Sequence, residues 1–86
     1  MIPGFNSDVE YRGFKYHIQS EDWGFDRPYL VTQIFSRGAV IRTFKTPYDP
    51  TWTPGSLGLQ QAISWSLKQQ HEMMVREISS GIISLA

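Results

Sequence analysis

The sequence predicts an α+β fold, a three-stranded antiparallel sheet in β-β-β-α order packed on one C-terminal helix. Three observations carry that prediction. Aromatic and polar residues alternate through Val9 to Gln19; two β-branched runs, "YLVTQIF" and "AVIRTFKT", flank a short "SRG"; and past residue 56 the apolar residues change to a helical period.

The elements follow in order. Residues 1–8, with Pro3, Gly4 and Asn6, read as an irregular lead-in whose Ile2 and Phe5 tuck against the body. The first strand, about 9–19, directs Phe14, Tyr16 and Ile18 to one face and Lys15, His17 and Gln19 to the other. "SEDWGFDRP" is a loop, and Pro28 holds Arg27 extended ahead of the next strand. The second and third strands, about 29–35 and 39–46, form a tight hairpin. A two-residue turn at Arg37 and Gly38 sets Phe35 opposite Val40, Gln33 opposite Arg42 and Val31 opposite Phe44; a three-residue turn with a glycine bulge shifts the pairing by one. In either register both faces of the hairpin carry large apolar groups.

Residues 47–56 hold three of the five prolines and form the crossover loop. Leu59, Ile63, Leu67, Met74 and Ile78 then make one apolar helical stripe, with Gln70 at the missing step. The helix is expected over about 57–80, roughly 35 Å at ~1.5 Å per residue, with Ser56 as its N-cap and Gly81 as its stop. The apolar tail 82–86 packs back on the body or meets a partner. All 86 residues make one domain.

Composition narrows the function. Eight basic residues balance eight acidic ones, which removes the general positive field that draws a chain to nucleic acid or anionic lipid. There is no cysteine, hence no disulfide and no thiolate metal site, and no apolar run of membrane-spanning length. The N-terminal residues lack the basic and apolar regions of a secretory signal, so the expected location is cytoplasmic.

Candidate chemistry is sparse. His17, Gln19 and Glu21 alternate along a strand and His71 lies on the helix, but glutamine is a poor zinc ligand and no paired-histidine spacing occurs, so neither histidine is expected to hold metal. "SED" reads as a strand end with turn-bonding carboxylates, and His71 as a half-buried packing residue with one satisfied nitrogen. Serine-nucleophile, phosphate-loop and dinucleotide fingerprints are absent, so no catalytic residue and no cofactor is expected, and the chain is not read as an enzyme.

Two features point to association instead. Trp65 lies about 200° from Ile63 at ~100° per residue, among Lys68, Gln69 and Glu72, so the crossover loop with Trp52 or a partner must cover it. One helix covers one sheet face, and the other is expected to keep several hundred Å² of apolar surface, for which a homodimer is the simplest cover. The interaction set is therefore Trp65, Lys68, Gln69 and Glu72 on the helix, Trp52 in the crossover, and His17, Gln19 and Arg42 on the sheet. The expected function is a self-associating protein-interaction module. The alternative is a nucleic-acid-binding sheet using Arg12, Lys15, Arg37, Arg42 and Lys45, against which stand zero net charge and the interruption by Ile41 and Phe44; a metal or enzymatic role ranks third.

"YHIQSED", "VTQIF" before a glycine turn, "KTPY" and "QQHEMMVREISSG" together resemble a family of short uncharacterised bacterial proteins, over residues 11–81. In that family the strand reads Tyr-x-Val-Gln-Thr-Glu-Asp, the hairpin Ile-Thr-x-Val-Phe and the helix Gln-His-x-x-Met with a terminal glycine. The resemblance implies a self-contained domain and brings no catalytic residue. Phe44 stands where the family tends to be basic, and the Pro/Trp-rich crossover and "IISLA" are particular to this chain.

Overall fold

The computed structural model describes residues 2–81; the expected apolar tail at 82–86 lies outside the described residues. The fold is α+β, an antiparallel sheet packed on one C-terminal helix, but the sheet has four strands rather than three. They are β1 (Phe5–Tyr11), β2 (Phe14–Asp22), β3 (Tyr29–Ser36) and β4 (Ala39–Pro47), in the order β1-β2-β3-β4, followed by α1 (Leu59–Ser79).

The extra strand comes from splitting the expected first strand at Arg12-Gly13. Tyr11 pairs with Phe14, so the loop has two residues, and both have positive φ, 52° and 81°. The second hairpin repeats the solution: Ser36 pairs with Ala39 around Arg37 and Gly38, at 53° and 79°. Positive φ at both central positions is the type I′ geometry, whose twist matches that of the flanking strands. The expected lead-in is therefore an edge strand in which Asn6 to Tyr11 pair with Gln19 to Phe14.

After the second turn Phe35 faces Val40 as expected. A bulge then inserts Ile41, so Ile34 faces Arg42, Gln33 faces Thr43 and Thr32 faces Phe44, one step from the expected register. The pairing sorts the faces. Phe5, Ser20, Thr32 and Phe44 form one cross-strand row, and Ser7, Ile18, Ile34 and Arg42 another, on the helix side. The opposite face carries the polar row Asn6, Gln19, Gln33 and Thr43. The free face expected to be apolar is mixed: Val31 there is 2% exposed and Phe35 half-buried, Tyr29 and Val40 are exposed at 38% and 47%, and polar and charged residues surround them.

The helix starts after Gly58, in the left-handed region at φ 76°, rather than on Ser56, and no side chain caps it. At its far end the Ser80 N–H bonds the Arg76 carbonyl at 2.9 Å, and the N–H of Gly81, at φ 75°, bonds the Ile78 carbonyl at 3.1 Å. Its buried face is Ile63, Leu67, Gln70, His71, Met74 and Ile78. Helix α1 rests on β1 and β2, touches β3 lightly and does not reach β4, which is exposed along nearly its whole length. The core falls into two clusters. Val9, Ile18, Ile34, Met74 and Ile78 form one, joined by Tyr16, Phe44 and Val75; Leu30, Tyr48, Ile63 and Leu67 form the other, joined by Ile2, Phe5, Trp52 and Leu59. Among the described residues no helix is long and apolar enough to cross a membrane.

The turn geometry predicts the effect of side chains at the two glycines. Gly13→Val and Gly38→Val should each cost about 1 kcal/mol or more, because a β-branched residue resists positive φ. Arg12→Asn and Arg37→Asn should stabilise by a few tenths of a kcal/mol, since asparagine tolerates that region better than arginine. Urea-unfolding midpoints measure both, and an unchanged midpoint for the valine variants would refute the assignment.

Candidate docking groove and buried polar belt

Between the two core clusters runs a belt of polar side chains. His71 is 4% exposed, and its Nε2 and Nδ1 lie 2.8 Å from Ser7 Oγ and 2.8 Å from Ser20 Oγ. Ser20 Oγ is 2.7 Å from Thr32 Oγ1, which accepts from Gln70 Nε2 at 2.9 Å; that amide also donates to the Leu30 carbonyl at 3.3 Å. His71 was expected half-buried with one nitrogen satisfied; it is buried with both satisfied. The belt is buried without cost in orphaned groups, for among the described residues no buried side-chain nitrogen or oxygen lacks a partner.

The protons of the belt are ordered by that connectivity. Gln70 donates to Thr32, so the Thr32 hydroxyl donates to Ser20, Ser20 to His71 Nδ1, and His71 Nε2–H to Ser7. The reverse sense would leave the fully buried Thr32 proton without an acceptor, at about 1–3 kcal/mol. His71 therefore presents a donor to Ser7 and an acceptor to Ser20. Burial also holds the His71 imidazole below its usual range, with a smaller opposing effect of Glu72.

The second site is a groove of about 690 Å³ between α1, the end of β4 and the loop that follows it. Leu30 and Thr46 form its floor, Ser66, Gln69, Met73 and Arg76 its helical wall, and Pro47, Tyr48, Pro50 and Trp52 its far wall. The far wall is fixed to the sheet. The Tyr48 hydroxyl donates to Asp22, whose Oδ1 also accepts the Gly24 N–H at 3.0 Å, and Tyr48 N–H bonds the Pro28 carbonyl at 2.8 Å. Burial, reinforced by the Asp22 carboxylate, pushes the Tyr48 phenol well above its usual range, so it remains a donor. Phe25 and Trp52 meet Tyr48 edge-on at 5.0 and 5.1 Å. Asp49 accepts from Thr51 N–H and Oγ1 at 2.9 and 2.8 Å, which shapes the loop beyond and holds the carboxyl below its usual range.

The expected interaction residues do not converge. Gln69 and Trp52 share the groove. Trp65 is 65% exposed and, with Lys68, lines a separate depression with Ile2, Pro3 and Gln61, so the crossover loop does not cover it; Trp52 packs on Tyr48 instead. Glu72 is half-buried beside them on the helix. Arg42 lies on β4 in the row of Ile34. His17 and Gln19 belong to the polar face, where His17 Nδ1 donates to Asp8 at 2.9 Å, Nε2 lies 3.2 Å from Asn6 Oδ1, and Gln19 donates to Glu21. The two histidines thus sit on opposite faces of the sheet, and among the described residues no three histidines or carboxylates gather around a possible ion.

The basic residues scatter as well. Lys15 and Lys45 share the polar face with Asp8, Glu10 and Glu21, Arg42 is on the helix side, and Arg12 and Arg37 are in the two turns. Lys45 stands 4.9 Å from the Trp23 ring, which Arg27 approaches to 4.7 Å, an aromatic–cation stack at one end of the sheet. Sequence reasoning missed Met73, 44% exposed, and the belt hydroxyls Ser7, Ser20 and Thr32. The signal for the belt was Gln70 and His71 interrupting an apolar stripe. No family model, curated protein or solved structure matches the chain.

The belt gives stability a defined acid dependence. With its folded pKa below the ordinary 6.5, His71 contributes fully above about pH 6.5, and the contribution falls as pH drops from there towards the folded pKa, because only the unfolded chain takes up the proton. The loss should reach at most about 1.4 kcal/mol per pH unit. His71→Gln should lower stability at pH 7.5 but flatten the difference between pH 7.5 and 5; equal slopes in urea titrations of the two proteins would show that His71 is not the titrating group.

Proposed function

We propose that the chain is a protein-interaction module whose docking surface is the groove between α1, the end of β4 and the crossover loop. One observation carries this reading: the helix covers β1 and β2 and stops short of β4. The helix-side residues of β3, Leu30, Thr32 and Ile34, are buried with it, whereas β4 is exposed along nearly its whole length. The groove at the end of that strand is walled by Trp52, Tyr48, Pro47 and Met73, side chains that gain by leaving water, on supports that are already hydrogen-bonded. Tryptophan and methionine at a preformed concavity are the composition of a docking surface.

The polar groups support the same reading from the other side. The hydroxyls and imidazole of the belt are mutually satisfied, and the polar face of the sheet mixes both signs of charge. Neither offers the concentrated charge that nucleic acid demands or the activated group that catalysis demands.

Indole tests the groove directly, as the side chain of an aromatic anchor. In Trp65→Ala, used to remove the one strongly exposed tryptophan, indole should shift the amides of Trp52, Gln69 and Met73 in ¹H–¹⁵N spectra, with a dissociation constant on the order of 1 mM. Met73→Lys should weaken it several-fold. No saturable shift, or shifts centred on Asp8 and His17, would overturn the reading.

A further inference from the structure

We infer that the groove takes a peptide segment in which an aromatic residue is followed by an aspartate or glutamate, the ring seated between Trp52 and Met73 and the side-chain carboxylate paired with Arg76. The inference rests on the groove being a docking surface and names the chemistry of its partner. Among the described residues that line the groove two are charged, Arg76 and Asp49, and they differ in what they already hold. Asp49 accepts from Thr51 N–H and Oγ1 at 2.9 and 2.8 Å, so fixed donors take up its charge. Arg76 is exposed, and among the described residues no carboxylate is in ion-pair contact with it; the ion pair found there joins His17 to Asp8 on the other face of the sheet.

A guanidinium presents its donors in one plane and matches a carboxylate with two parallel bonds. Beside apolar walls water is partly excluded, and the attraction between opposite charges rises as the local dielectric falls. Position supports the same pairing. Ser66, Gln69, Met73 and Arg76 recur every three or four residues and so share one face of α1, with Arg76 beyond Met73 by about 4.5 Å along the axis at ~1.5 Å per residue. An extended peptide advances about 3.3 Å per residue, so a ring against Met73 and a carboxylate at Arg76 belong to residues one or two places apart.

The walls select the ring. Trp52 offers an indole, Met73 a polarizable thioether and Leu30 an apolar floor, while the Gln69 amide supplies a donor and an acceptor for the peptide main chain. The charges also reject. A carboxylate entering on the far wall meets Asp49, which turns an acidic segment so that its carboxylate lies on the α1 side, and a basic residue in that place meets Arg76 as a like charge.

Three capped peptides decide it: N-acetyl-Trp-Ala-Glu-amide and its Gln and Lys counterparts, titrated at low salt into the Trp65→Ala protein with ¹H–¹⁵N shifts read at Met73 and Arg76. The Glu peptide should bind about three- to five-fold tighter than the Gln peptide, and the Lys peptide weakest. Arg76→Gln should abolish the difference and Arg76→Glu should invert the order, an inversion that a merely structural role of Arg76 would not produce. Arg76 is exposed and its main-chain carbonyl keeps the Ser80 N–H in both variants, so native circular dichroism is expected of each. Equal binding of the three peptides, a preference for Lys, or an order unchanged in Arg76→Glu overturns the assignment. If indole still marks the groove in that case, the docking surface stands and its partner is not acidic; if indole fails too, the docking reading falls with it.

Discussion

The hydrogen-bonded belt centred on His71 is the constraint on which the rest of the structure depends. A buried polar group without a partner costs about as much as a lost core side chain, so a helix carrying Gln70 and His71 inward has few places to lie on this sheet. His71 must find Ser7 on β1 and Ser20 on β2 at once, and Gln70 must reach Thr32 and the Leu30 carbonyl on β3. Apolar contacts alone would tolerate sliding or rotation of α1, because isoleucine against leucine is much like isoleucine against valine. Five polar side chains with fixed donors and acceptors do not. They hold the helix across β1, β2 and the near side of β3, and the exposure of β4 follows.

The same constraint shapes the energetics. Each apolar cluster is small, as it must be in 86 residues, and the belt divides what a larger domain would keep continuous. Compensation comes at the Tyr48 end, where the phenol bonded to Asp22 and the edge-on contacts with Phe25 and Trp52 extend the second cluster into the crossover loop. A proline-rich segment fixed in this way loses little further freedom when something docks against it, which is the condition for an effective binding wall. The radius of gyration, 13.8 Å against about 12 Å for a compact chain of this length, shows the cost in compactness.

What was legible in the sequence was what periodicity carries. The β3–β4 hairpin and the stripe of α1 repeat at two and about 3.6 residues, and both elements are found there. The first hairpin escaped notice because β1 has few apolar residues, Phe5, Val9 and Tyr11 among acids and small polar groups, so it reads as a lead-in. The glycine at position 13, an uneasy residue inside one long strand, was its trace. The belt joins residues as far as 64 positions apart, and serine and threonine carry the same letters whether buried or wet. Trp65 was correctly placed on the outer helix face, but Trp52 could not be assigned to a flank without the Asp22–Tyr48 bond that ties the loop beyond β3 and β4.

Both edges of the sheet carry features that oppose strand addition. On β4, the bulge at Ile41 breaks the ladder, Arg42 and Lys45 charge it, and Pro47 ends it without an N–H to offer; on the other edge, Asp8 and Glu10 charge β1. These are devices that oppose pairing with another strand. The groove differs, with Trp52, Tyr48 and Met73 lining open space beside Asp49 and Arg76. With both edges blunted and every described buried polar side chain satisfied, the apolar surface left open on the helix side includes the groove walled by Trp52, Tyr48 and Met73 and the depression lined by Trp65.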